Sequence, residues 1–163
     1  LGLWRELAAG AAPAMLILED DVTLCRDFDR RFADLCATLE QAHPQFDLAL
    51  LGYIDWHPRP EDDVEAVARP VRLQRFDGAR YLGGTFAYVV SSRGARRLLG
   101  IVERDGIQNG IDRFVHRKEA ELELLVATPH LASSPLVPPG SGLDSDVQND
   151  FQSLSDDDGC RSA

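Results

Sequence analysis

The chain has 163 residues, 44 % hydrophobic and 27 % charged, enough for one domain with a real core and too few for two comfortable ones. Its net charge of −10 argues against nucleic acid as a partner, because neutralising phosphates requires basic patches. Half of that charge lies in the last twenty residues, where Asp144, Asp146, Asp150, Asp156, Asp157 and Asp158 face Arg161 alone. A domain over 1–150 with an acidic, disordered tail over 151–163 is therefore expected. Cys25, Cys36 and Cys160 form no Cys-x-x-Cys pair and leave an odd count, which suits a reducing compartment. No apolar run approaches the ~20 residues of a membrane span. The expectation is a cytoplasmic protein whose closest approach to a bilayer is peripheral association with its inner face.

The chain opens on Leu1 with an amphipathic pattern already under way. Leu3, Trp4, Leu7 and Ala8 form one helical stripe, and Gly10 stops it, so sequence upstream of Leu1 is expected. Ala14 to Leu18 is a short apolar run that reads as a buried strand carrying Glu19-Asp20-Asp21 to its carboxyl end. Phe28, Phe32, Leu35, Cys36 and Leu39 repeat with helical spacing, Asp27 is a good N-cap, and Pro44 blocks continuation. Cys36 on that stripe reads as a small core residue. Phe46 to Leu51 reads as a second buried strand, stopped at Gly52.

Tyr53 to Pro70 is rich in Pro and acids and has no period, so it is expected to be a long loop. Its Trp56 and His57 suit either stacking on a sugar face or anchoring a lid. Val71 to Phe76 alternates as a half-buried strand, and Gly83-Gly84 leads into an apolar strand over Thr85 to Val90. Ser92 is the expected cap of a helix with Ala95, Leu98, Leu99 and Val102 on its core face. Asn109 should cap another, with Ile111, Phe114 and Val115 inward. Leu122 to Ala127 is the last strand, and Pro129 to Gly142 a Pro- and Ser-rich loop. Strands alternating with helices predict an α/β layered fold.

Three acids directly after a buried strand are costly unless something positive meets them. In a parallel α/β sheet ligands bind just beyond the carboxyl ends of the strands. Glu19-Asp20-Asp21 therefore suits a hard divalent cation, Mg²⁺ or Mn²⁺. The plainer alternative is an acidic turn beside a helix N-cap. Met15 to Asp21 and Phe46 to Leu51 also resemble two strands of a response-regulator receiver domain. That likeness fails on chemistry. The second strand ends on Gly52 instead of a phosphoacceptor Asp, and the sole Lys, Lys118, precedes Glu119 instead of Pro.

A second resemblance accommodates more of the chain. Leu3-Trp4, then Leu16-Ile17-Leu18 running into Glu19-Asp20-Asp21-Val22, then Leu50-Leu51-Gly52 occur in order. They are followed by Gly84-Thr85-Phe86-Ala87-Tyr88 through Ser91, the Gly94-Ala95 helix, Ile111-Asp112, Pro135-Leu136-Val137 and Asp144-Ser145-Asp146-Val147. In order and spacing, over residues 3 to 148, this resembles glycosyltransferase family 25. The resemblance implies a Rossmann-like fold of the GT-A type. It also implies that the family's first βα unit, upstream of the Leu-Trp helix, is missing from this sequence.

What the resemblance further implies is an inverting transfer of a sugar, galactose as the family-level expectation, from a nucleotide-sugar donor, taken as a UDP-sugar. The acceptor would be a surface glycan or a lipid-linked lipopolysaccharide precursor. Asp21, with Asp20 or Glu19, would hold Mn²⁺ or Mg²⁺, which offsets charge developing on the leaving diphosphate. The remaining acid would orient the ribose or the donor sugar. Gly83-Gly84-Thr85 would bring backbone and a hydroxyl close to the donor, or be only a turn. Asp112 is the candidate general base, or an acid favoured at the third helical position by the helix dipole. Asp144 and Asp146 would complete the metal site, or lie in a solvated Ser/Asp loop. His130, beside Pro129, reads as structural. A non-catalytic nucleotide-sugar or carbohydrate-binding remnant is the alternative, and a metal-dependent phosphohydrolase a third reading of the same acids.

Overall fold

The computed structural model of the chain describes residues 1–55, 69–108 and 110–134. In order they form α1 (Gly2–Ala9), β1 (Ala14–Leu18), β2 (Thr23–Leu24), α2 (Phe28–Ala42), β3 (Leu48–Asp55), β4 (Arg72–Arg75) and β5 (Tyr81–Ser91). There follow α3 (Ser92–Asp105), α4 (Gly110–Arg117), a 3-10 turn (Glu119–Glu121), β6 (Leu124–Thr128) and β7 (Ala132–Ser133). Five strands make one sheet in the order β1-β5-β3-β6-β4, and β2 pairs with β7. β3 and β6 are parallel, β5 is antiparallel to both β1 and β3, and β4 is antiparallel to β6. The carboxyl ends of β1, β3 and β6 thus share one edge of the sheet with the amino ends of β5 and β4. No helix among the described residues is long and apolar enough to cross a membrane.

Alternate residues of the strands feed two cores, as the two-residue period of a strand requires. Leu48 and Leu50 of β3, Tyr88 and Val90 of β5 and Leu124 and Val126 of β6 pack with Trp4, Leu7, Leu98, Ile101 and Phe114 from α1, α3 and α4. Ala49, Leu51, Val89, Leu125 and Ala127 face the other way, onto Leu35 and Leu39 of α2. The result is a helix–sheet–helix sandwich, a mixed α/β architecture compatible with a Rossmann-like fold. Each fully buried leucine in it contributes about 1.5–3 kcal/mol. On the α1 side Trp4 Nε1 donates to Tyr88 Oη (3.2 Å), so the one polar atom of the indole is paired where it is buried.

Several expectations are corrected. Among the described residues β1 is an edge strand, paired with β5 alone and half-buried, so its apolar run is not that of a central parallel strand. Leu3 points outward, whereas Trp4 and Leu7 are buried and Ala8 packs partly buried against the same core. β3 does not stop at Gly52 but continues through it to Asp55. The glycine is there because a Cβ would collide with the carbonyl oxygen of Ala132, which crosses over the strand as Leu131 N–H donates to Leu51 O (2.6 Å). Gly83 and Gly84 lie inside β5, not in a turn before it, and Gly84 has φ +88°, which favours glycine. Asp27 precedes α2 as expected but makes no side-chain cap; its backbone is left-handed (φ 58°). The cap of α3 is Ser91, whose Oγ accepts from Gly94 N–H (2.9 Å), not Ser92. Cys36 is half-buried, not a core residue. Trp56, His57 and Asn109 lie outside the described residues, as do Pro135 to Val137, Asp144, Asp146 and the tail 151–163.

Asp47, directly before β3, is fully buried. Its Oδ2 accepts from Arg97 Nη1 (2.9 Å) and from Glu123 N–H (2.8 Å), while Arg93 Nε lies 3.5 Å from Oδ1. Its backbone N–H donates to Glu123 O (2.9 Å), and its carbonyl accepts from Ser91 N–H (3.0 Å). One residue thereby joins the starts of β3 and α3 to the segment leading into β6. Replacing Asp47 with Ala orphans the Glu123 N–H and leaves a cavity. It should cost about 2–4 kcal/mol in urea unfolding, somewhat below the full cost of breaking a buried pair. The discount reflects the two arginine side chains, which stay 39 % and 43 % exposed and keep their hydration. Asp47→Asn, which retains an acceptor, should cost about half as much.

Candidate functional site

Three of the segments singled out in the sequence meet at the shared strand edge. β1 ends opposite Ala87, and Glu19 N–H donates to Phe86 O (2.8 Å), so the acids emerge beside β5 while β5 still has several residues to run. That overhang, Tyr81 to Thr85, pairs on its other side with the end of β3, Ile54 opposite Gly83 and Asp55 opposite Tyr81. α4 packs against β5 and opens at the same edge, with Asp112 at its third position.

Asp112 is held by what surrounds it. Its Oδ1 accepts from Arg113 N–H (2.7 Å). A Cβ on Gly83 would lie 3.1 Å from Asp112 Oδ2, and one on Gly110 would lie 3.2 Å from Oδ1. The carboxylate therefore sits in the space that two glycines leave. Gly83 is explained by that fit, without a ligand. The first turn of α4 adds the favourable field of a helix N-terminus.

Glu19 is exposed as a residue, yet its carboxyl is pushed up from the ordinary value, by partial burial first and then by Asp21, Asp112 and Asp20. Its charge also bears on two buried phenols, Tyr81 and Tyr88. Glu19, Asp20, Asp21 and Asp112 thus form one anionic patch. Asp21 Oδ2 accepts from Ser134 Oγ (3.1 Å), just past β7, which draws the β2–β7 ribbon to the acids. Among the described residues, however, no three His, Cys, Asp or Glu side chains converge closely enough to hold a metal ion. The charge of the patch suits a divalent cation, whereas its described carboxylates do not by themselves make a closed ligand set.

Thr85 is buried, and its hydroxyl has no hydrogen-bond partner among the described residues. Sequence reasoning missed Tyr81, at the start of β5, and the ion pair of Arg80 with Asp55, whose side chains are both largely buried on this edge. Alternation within β5 was the available signal for Tyr81, and it was obscured by the glycines that follow. His130 is buried with its ring 4.9 Å from that of Tyr53, in keeping with a structural role.

No protein-family model matches the chain. Among curated proteins it is 32 % identical over 97 residues to "Probable inactive glycosyltransferase 25 family member 3" of Bos taurus, covering 60 % of this chain and 15 % of that protein. It is 31 % identical over 114 residues to procollagen galactosyltransferase 1-B of Xenopus laevis, covering 69 % and 18 %. Against procollagen galactosyltransferase 2 of Homo sapiens it is 29 % identical over 99 residues, covering 60 % and 15 %. The chain matches less than a fifth of the length of these relatives. Its sequence is similar to members of the glycosyltransferase 25 family over three fifths or more of the residues present here.

Proposed function

We propose that this chain carries the donor and base side of a metal-dependent, inverting glycosyltransferase of the GT-A type. It would move a sugar, galactose by its relatives' names, from a UDP-sugar to a surface-glycan or lipid-linked lipopolysaccharide acceptor at the cytoplasmic face of a membrane. The observation that carries the reading is the lodging of Asp112 against Gly83, beside Glu19, which unites three separate stretches of the family pattern at one sheet edge. Domain limits of 1–150, with 151–163 as a tail, belong to the same proposal, as does a first βα unit upstream.

Asp112 is the group to accept the proton of the attacking hydroxyl, held rigidly on a helix and within its own hydrogen bond to Arg113. Asp20 and Asp21, with Asp144 and Asp146 from outside the described residues, would hold Mn²⁺ or Mg²⁺. When bound, that ion supplies positive charge for the departing diphosphate. Such a charge would offset the repulsion between a diphosphate and the carboxylates of this edge. Glu19, Gly83, Gly84 and Thr85 would line the donor. The relative whose name includes "inactive", together with the open ligand set among the described residues, favours a second reading as a binding remnant without turnover.

Two measurements separate these readings. Mn²⁺ should raise the melting temperature in proportion to its binding, and Asp21→Asn should remove that rise while leaving the metal-free melt unchanged. An equal rise in the variant would move the metal elsewhere. With Mn²⁺ present, slow release of UDP from UDP-galactose identifies an enzyme, and binding without release identifies a remnant. Asp112→Asn should cut that release about 10²- to 10⁴-fold, far beyond any loss in calorimetric donor affinity. A loss of only a few fold would leave Asp112 as a helix-stabilising acid.

A further inference from the structure

Tyr81 opens β5 with its side chain inside the molecule, 3 % exposed. Its ring packs on Phe76 (5.0 Å between centroids), His116 (5.3 Å, edge-on) and Tyr53 (6.1 Å, stacked). Those contacts account for the ring but not for the hydroxyl, which is buried with no hydrogen-bond partner among the described residues. Leaving such a group unpaired costs about 1–3 kcal/mol. Tyr81 stands two residues before Gly83, whose missing side chain makes room for Asp112 Oδ2, and its ring meets His116, one turn along α4 from Asp112, so the residue lies beside that acid. Burial and the charges of Asp112 and Glu19 keep the phenol protonated, pushed well above its usual range, and hence a donor.

The chemistry of a group able to sit between these partners is restricted. An ionised carboxylate only accepts hydrogen bonds, and the phenol here has a proton to give. A phosphate oxygen only accepts, and it is repelled by the acids. A hydroxyl donates to the carboxylate and accepts from the phenol at once. We propose that Tyr81 is a substrate-binding residue that, with Asp112, grips one hydroxyl of the donor's sugar ring: Tyr81 Oη donates to the hydroxyl oxygen, and the hydroxyl donates to the Asp112 carboxylate. This rests on the UDP-sugar reading above and adds to it the contact that distinguishes the sugar from the nucleotide.

Tyr81→Phe tests it, because the ring packing is kept and only the hydroxyl is lost. With Mn²⁺ present, calorimetric Kd for UDP-galactose should rise about 5- to 10-fold, the worth of one neutral hydrogen bond, while Kd for UDP stays unchanged. The ligand-free melting temperature should equal or exceed that of the parent, since an orphaned hydroxyl is being removed. A marked fall in that temperature would mean the hydroxyl is paired within the protein, and overturns the proposal. So does an equal loss for UDP and UDP-galactose, or no loss for either. Failure of the unaltered chain to bind UDP-galactose overturns the donor reading, and this contact with it.

Discussion

The Asp47 carboxylate is fully buried beside two arginines and a backbone N–H, and the position of β3 follows from that arrangement. A buried carboxylate is tolerated only where charge and hydrogen bonds meet it, so β3 has little freedom to slide without losing them. A shift of one residue in strand register would also turn every side chain to the opposite face, exchanging the Leu48–Leu50 and Ala49–Leu51 sets between the two cores. The same anchoring therefore governs the far end of the strand, eight residues on, where Ile54 and Asp55 meet the start of β5. The candidate site is built at one end of the sheet on a register fixed at the other. Gly94 serves the same junction, because a Cβ there would collide with the Asp47 carbonyl and push α3 off the sheet.

The acidic edge is organised by opposing electrostatic tendencies. Four carboxylates share this edge, and partial burial together with their repulsion raises the proton affinity of Glu19. Against it stand the first turn of α4 around Asp112 and the Ser134 hydroxyl on Asp21. The nearby Asp55 has its own countercharge in Arg80, so it is neutralised within the fold and adds little to the patch. At the start of β5 the rings of Tyr81, Tyr53, Phe76 and His116 pack on one another, with Tyr81 and Tyr53 buried.

Much of the fold was legible in the sequence because its signals are local. The stripe Phe28, Phe32, Leu35 and Leu39 defines α2, and the short apolar run Ala14 to Leu18 coincides with β1. What escaped depended on partners far along the chain. Gly52 looks like a strand stop, but its meaning comes from Ala132, eighty residues later. Gly83 looks like a turn and in fact makes room for Asp112. Asp47 sits in an apolar stretch, and nothing local tells that Arg93, Arg97 and Glu123 will surround it. The acids after β1 and the acid at the third position of α4 were legible as site candidates by residue type. The Tyr81 hydroxyl was not, since an unpaired buried atom is a property of packing alone.

The fit between Gly83 and Asp112 also bears on how such sequences are free to vary. With 3.1 Å between the carboxylate oxygen and the place of a missing methyl, any side chain at 83 presses on the acid, and any longer acid at 112 presses on the backbone of β5. The two positions are twenty-nine residues apart and on different elements, yet they form one unit of inheritance. While an aspartate stands at 112, a side chain at 83 has to displace its carboxylate by a few tenths of an ångström, so glycine is favoured there. A lineage that abandons the acid is released from the glycine as well, so the joint loss of the pair would be a written trace of a site that has stopped working.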